Sequence, residues 1–392
     1  MIGSLIFLLV GALIIGAVLR QRTGGKADIG TMVRRFIEFG FLLALVGITG
    51  FGVAGVLARV VGEIGPESSG GAETTALWLT FVLVGGLSLA GLAIWIRRRF
   101  ESDSAEEAAS GWSLYVAAGE LGSMIGLIVS AIGTLSWLIS DEEFHDYWIA
   151  HLIVWSCTWL LHWQLGGRKT SRGIVRNPLY VLIGAAVGVI GLAISFSFVV
   201  GHLLNWAYDG SMPDYIPDYR FDSDSASWDS ALDGARDATP AMLTFGAIWF
   251  WYWWRNARVA GHSAARHAFV LVGGVLGGLG AAVIAGSGLM FTVLLWFLTD
   301  QDGNSATEHF DTAPVFLTVC IVGLAVWTYH RSELPENERR SEVERTYDHL
   351  ASWVGLVAAT AGIGVLLGGV ILHQIMPNPH GWDEALGEPM SG

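Results

Sequence analysis

The chain has 392 residues, of which 53% are hydrophobic and only 15% charged, and its mean hydropathy is +0.51. A soluble protein of this size needs roughly 25% charged residues to cover its surface, so a set of soluble domains is excluded and lipid must cover much of the molecule. The net charge of −13 argues against nucleic acid as a partner, and the two cysteines, Cys157 and Cys320, each within an apolar run, indicate neither a disulfide framework nor a cysteine-based metal site.

Ten apolar runs are long enough to cross the hydrocarbon core as helices, the form in which a single segment satisfies its own backbone there. The first, 2–19, has no basic residue before it and three soon after, the reverse of a secretory signal, so residues 1–31 are expected to be a retained span and its cytoplasmic loop. Runs 33–62 and 75–97 make a hairpin within 33–100, and runs 112–139 and 147–165 a second within 112–168. Runs 177–207 and 238–255 make a third within 176–258. Its outer connection, 208–237, holds eight Asp, two Pro-Asp turns at Pro213 and Pro217, and an expected short surface helix from Ser227 to Arg236. Runs 268–298 and 313–331 make a fourth within 266–331, and 350–373 opens a half repeat that, with a polar outer tail, occupies 346–392.

Of the 22 basic residues, 19 fall in one alternate set of loops, and only Arg59, Arg220 and Arg236 fall in the other. Positive loops stay cytoplasmic, so the expected location is the cytoplasmic membrane, crossed an even number of times with both termini outside. The outer side then carries 22 of the 35 acidic residues, a solvated anionic face suited to cations or a basic partner.

An internal repeat underlies the hairpins. An aromatic residue at the cytoplasmic start of a span is followed by glycine four and eleven residues later: Phe36, Gly40 and Gly47; Tyr115, Gly119 and Gly126; Tyr180, Gly184 and Gly191; Phe269, Gly273 and Gly280. Eleven residues is about three helical turns, so these small residues lie on one stripe, where they let helices approach closely in lipid. Each returning span ends on a Trp with a polar or basic residue three further on: Trp95 and Arg98, Trp159 and His162, Trp249 and Tyr252, Trp327 and His330. The pattern predicts an all-α polytopic membrane protein of about ten transmembrane helices, built from tandem two-helix hairpin repeats of the same orientation.

In these motifs the chain resembles a prokaryotic membrane family described only as domain of unknown function 5671, whose repeat closes on a Trp-x-x-His-Trp-like end. Trp159-Leu160-Leu161-His162-Trp163 carries the resemblance best; Trp249-Phe250-Trp251-Tyr252-Trp253 replaces the His, and Trp327-Thr328-Tyr329-His330-Arg331 the final Trp. The resemblance runs loosely over 33–373, implies the helical architecture, and brings no activity.

Three groups of residues are candidates for chemistry. Glu120 lies about two turns inside the fourth span, where a charge is costly, and with His202 and Asn205 it would mark a proton or cation path; a buried carboxyl paired with a neighbouring helix is the structural alternative. His151 and His162 share one helix face about 16 Å apart along its axis, a spacing that two b-type haems could use. His202 would be a second ligand near the outer end and His330 near the inner end. The recurrence of His162 and His330 at one repeat position fits a shared packing role as well. Trp249, Trp251, Tyr252 and Trp253 belong to an aromatic cluster around all faces of one helix, suited to an interfacial belt or to a groove for lipid, a quinone or a carotenoid.

No phosphate-binding loop, His-Glu-x-x-His pair or nucleophile elbow is present, so no catalytic or metal residue is assigned and an enzyme is not indicated. The leading expectation is a non-catalytic scaffold or accessory subunit of a larger membrane assembly, in contact with lipid and other membrane subunits. A proton- or cation-linked transporter or channel is the alternative, with a b-type haem or quinone electron-transfer subunit third. A transporter calls for a water-lined cavity reaching Glu120, a scaffold for a packed interior with an apolar lateral groove.

Overall fold

The computed structural model describes residues 29–64, 72–140, 143–170, 173–174, 176, 178–211, 229–259, 263–298 and 305–334, with isolated helical positions between 345 and 368. The expected span 2–19 and the outer tail lie outside the described residues, as does most of 350–373.

The described chain is helical throughout apart from one two-residue hairpin. Helix α1 spans Ile29–Ile64. Helix α2, Ala72–Thr80, runs through a π-helical segment, Phe81–Gly85, into α3, Gly86–Ser102. The short α4, Ser104–Glu107, is started by Asp103, whose carboxylate accepts from the Ala105 amide at 2.9 Å. Helix α5 spans Ser110–Ile139 and α6 Asp146–Gly166. Strands β1, Lys169–Thr170, and β2, Gly173–Ile174, form an antiparallel turn. Helix α7 spans Pro178–Ser211, and α8, Asp229–Trp249, continues into a π segment, Phe250–Ala257. Helix α9, Ala264–Ala268, leads through a third π segment, Phe269–Leu276, into α10, Gly277–Leu298. The short α11, Ala306–His309, precedes α12, Ala313–Ser332.

Among the described residues six helical stretches are long and apolar enough to cross a membrane: Val33–Gly62, Glu73–Ser102, Ser110–Ile139, Pro178–Tyr208, Ala264–Phe297 and Ala313–Ser332. This is fewer than the ten runs read from the sequence. Runs 147–165 and 238–255 are helical as expected, in α6 and in α8 with its π segment, but their Trp, Tyr and His content lowers their hydropathy below that of the six. Of the short surface helix expected from Ser227 to Arg236, the described part from Asp229 is the start of α8, which runs on past Pro240 into the apolar run.

Two compact units divide the chain, residues 1–180 and 181–392. In the first, α1 packs on α5 and α6, α2 and α3 lie against α1, and Phe39, Leu42, Ile96, Trp112, Tyr115 and Val116 form a core. In the second, α10 pairs with α12, and α7 meets the α8 helix through Gly188 and Trp249.

Glycines set the closest approaches. Gly119, Gly126 and Gly133 on α5 face the rings of His162, Trp155 and Trp148 on α6, so the two helices are antiparallel with a large side chain bedded every seven residues, about two turns. Gly184, Gly188 and Gly191 of α7 lie against Tyr252, Trp249 and Phe245, and Gly274 and Gly288 against His330 and Phe316 of α12. A methyl group at any of these positions would overlap its neighbour. In two places the expected glycine stripe is corrected. Gly40 and Gly47 have no neighbour in reach, because α1 meets α2 further along, through Gly52 and Gly55. In the fourth pair the bedding glycine is Gly274 rather than Gly273, because the π segment Phe269–Leu276 widens the turn by one residue.

Several hydroxyl side chains within the spans are satisfied locally. Ser123, Ser130, Thr134, Ser195, Thr244 and Thr318 each donate to the carbonyl four residues earlier, which removes the cost of a bare donor in an apolar interior.

Candidate functional site

Glu120 is 1% exposed, and its Oε2 accepts from Arg176 Nε at 3.1 Å. Arg176 follows the β1–β2 turn. Its amide donates to Gly166 O at 2.8 Å and a guanidinium nitrogen donates to Trp163 O, while the guanidinium lies over the Trp163 ring, 3.5 Å from its centre. Gly166 makes this possible, since a side chain there would press on the guanidinium. Of the readings open for Glu120, the structure places it in a buried ion pair. An Arg suits the position because its planar cation can bond a carboxylate and stack on an indole at once.

One turn before Glu120, Tyr115 and His162 meet. His162 Nδ1 lies 2.8 Å from Thr158 O; a carbonyl only accepts, so Nδ1 carries the proton and Nε2, 3.3 Å from the Tyr115 hydroxyl, accepts from it. His330 repeats the arrangement. Its Nδ1 donates to Val326 O at 2.8 Å and its ring beds on Gly274, but Phe269 stands where Tyr115 stands in the first unit, and His330 Nε2 is buried without a partner. The recurring histidine is thus a packing group keyed to a glycine.

The four histidines expected as haem ligands are held in different ways. His162 has both ring nitrogens in hydrogen bonds, and His151 Nδ1 accepts from Trp155 Nε1 at 3.0 Å with the Tyr147 ring centre 3.9 Å away, tilted by 38°. His330 lies on Gly274 between Trp253 and Phe269, and His202 packs on Gly234. The reading of the aromatic cluster is corrected. Tyr252 and Trp253 are fully buried, Tyr252 on Gly184 and Trp253 donating to the Tyr329 hydroxyl at 2.8 Å, so they are core rather than the wall of an open groove. Trp249 packs on Gly188 and against Tyr329, while Trp251 carries Arg255 over its ring.

A groove of about 580 Å³ runs between α7, α10 and α12 of the second unit, with His202 and Asn205 at one end. Two of the three residues expected on a proton or cation path therefore share this groove, whereas Glu120 belongs to the first unit.

Arginine–carboxylate clusters lie next to the ends of the spans. Arg34 and Arg35 hold the two oxygens of Glu106 at 2.7 and 2.8 Å, and Arg99 bridges to Glu38 at 3.1 Å. The Arg35 hydrogen bond, foremost among these contacts, holds the Glu106 carboxyl below the usual range. In the second unit Arg258 and Arg266 hold Glu333 at 2.9 and 3.2 Å, with Arg258 over the Trp254 ring. The pairing of Glu38 with Arg34 was legible as an i, i+4 neighbour. The partner of Glu120, 56 residues away, was not, and the one signal for it is an arginine placed just before the Asn177-Pro178 start of α7.

Among comparisons with known proteins, no curated protein and no solved structure matches the chain. One family profile matches it twice, over residues 35–144 and 268–380, together more than half of its length. The two matches begin at the same point of the motif, one residue before Phe36 and one before Phe269. The chain belongs to the family described as a domain of unknown function, DUF5671.

Proposed function

We propose that this protein is a non-catalytic subunit that anchors or scaffolds a larger assembly in the cytoplasmic membrane. In this reading it crosses the membrane ten times, with both termini outside, as tandem two-helix hairpins of one orientation. The doubled family match, which restarts at the same motif position, supports the repeat. The observation that carries the functional reading is the state of Glu120. The acidic group that a proton or cation path would need is paired in place with Arg176, whose guanidinium lies over the Trp163 ring, an arrangement that suits a structural role. The buried histidines of the first unit are likewise held by Tyr115, Thr158 and Trp155.

The test is gentle purification from the native membrane with identification of co-purifying proteins, beside a flux assay in vesicles. A stoichiometric membrane partner retained by Glu120→Gln is the expected result. Proton or cation flux through the purified protein that is abolished by Glu120→Gln would overturn the scaffold reading in favour of transport.

A further inference from the structure

The groove in the second unit has an identifiable origin. In the first unit the residue two turns from His162 is Trp155, whose indole lies on Gly126 and against Gly50 and Phe51, filling the space between α5, α6 and α1. In the second unit the residue two turns from His330 is Gly323. There α10 and α12 touch backbone to backbone, a Cβ at Gly323 falling 2.7 Å from the Ala282 amide nitrogen and 2.8 Å from Gly278 O. The groove opens beside this contact, lined on α12 by Val319, Val322 and Val326 and on α7 by Ala193 and Ile194. The same repeat position thus carries an indole in one unit and, in the other, a glycine closed onto α10.

Size and lining define what fits. From Val189 to Asn205 the groove follows α7 for about 24 Å, most of a hydrocarbon core of roughly 30 Å. Its volume of about 580 Å³ lies in the range of small-molecule sites. The wall is apolar. Ser197 and Thr318 direct their hydroxyls to Ala193 O and Pro314 O on their own helices, and no charged residue lines the groove. A phosphate head drawn into it would be desolvated without a counter-charge, which is strongly unfavourable. His202 and Asn205, at the end next to the close of the span, supply N–H groups that donate to a carbonyl or hydroxyl.

We propose that this groove binds a neutral amphiphile with one long apolar chain and a hydrogen-bond-accepting head, the chemistry of an isoprenoid quinone. The chain lies along α7 past Gly323 and the head sits between His202 and Asn205. This site is independent of Glu120 and of the scaffold reading.

The test uses full-length protein extracted from its native membrane into polymer-bounded discs, followed by organic extraction and mass spectrometry of the lipids that stay bound. The expected result is one neutral isoprenoid lipid per chain. Ala193→Phe, which fills the groove from α7 at the level that Trp155 fills in the first unit, lowers that occupancy at least tenfold. The double variant His202→Ala/Asn205→Ala keeps the volume and serves if Ala193→Phe fails to assemble. It weakens binding of an added short-chain naphthoquinone at least tenfold, while a detergent of the same chain length binds unchanged. Retention of charged phospholipid alone, of neutral glycerolipid alone, or of the same lipid in equal amount by the groove-filling variant would each overturn the proposal.

Discussion

The contrast between His162 and His330 gives the sharpest test of how these helix pairs are held. Both imidazoles are fully buried, both donate Nδ1–H to the carbonyl four residues back, and both rest on a glycine. They differ in one atom, the Tyr115 hydroxyl that caps His162 Nε2, for which Phe269 has no counterpart. Leaving a buried acceptor unsatisfied costs roughly 1–3 kcal/mol. Tyr115→Phe should therefore destabilise the protein by about 1–2 kcal/mol, the lower part of that range because the observed contact is long at 3.3 Å. Phe269→Tyr should act in the opposite sense. The ring centres of Phe269 and His330 are 6.2 Å apart, against 5.4 Å for Tyr115 and His162, so the added hydroxyl reaches Nε2 less well and the expected gain is at most about 1 kcal/mol. Reversible unfolding in mixed micelles, followed by near-ultraviolet circular dichroism, reads both. A Tyr115→Phe protein within roughly 0.3 kcal/mol of the parent, or two variants that shift stability in the same direction, would refute the assignment of tautomers and partners.

Further outcomes follow from the same structure. Arg176→Ala leaves Glu120 buried beside an empty place and should cost about 3–5 kcal/mol, whereas the Glu120→Gln/Arg176→Ala double variant should recover a large part of that loss; equal losses in the two would show that the charge pair is not the cause. Gly119→Ala and Gly274→Ala push a methyl into an imidazole and should destabilise by about 1–3 kcal/mol, while Gly40→Ala, with no neighbour in reach, should stabilise α1 by up to about 1 kcal/mol, as measured by the same unfolding assay. The Glu106 carboxyl, lowered by Arg35 and Arg34, contributes stability that is fully present above the ordinary carboxylate pKa and is lost as pH falls through its lower folded value. Glu106→Gln should accordingly flatten the acid limb of the stability profile and leave the neutral limb lower but parallel.

The positions of the six candidate spans were legible because hydropathy is a local property: twenty apolar residues declare themselves wherever they stand. The glycine four residues after an aromatic was also legible, and Gly119 and Gly184 do receive a large ring as their spacing implied. The fourth instance slipped by one residue, because a π segment changes the register without any residue type that marks it. For the histidines, sequence spacing supported ligation and packing alike, and the positions of Thr158 O, Val326 O and the Tyr115 hydroxyl, which set how each ring is held, lie outside what spacing can supply.

Glu120 and the groove mark the boundary most clearly. The chain order alone determined that a carboxyl sits within an apolar helix, which requires some compensation. It did not determine which compensation, since Arg176 is brought to it by a turn and by the absence of a side chain at Gly166, both tertiary facts. Likewise Gly323 reads in sequence as one more small residue of a membrane helix. That it closes onto α10 beside a groove, while Trp155 fills the equivalent place, depends on which third helix lies opposite and on what that helix presents there. Hydropathy and small-residue spacing are fixed by neighbours along the chain, whereas charge pairing and cavity shape arise between segments far apart in it, and there the tertiary structure decides.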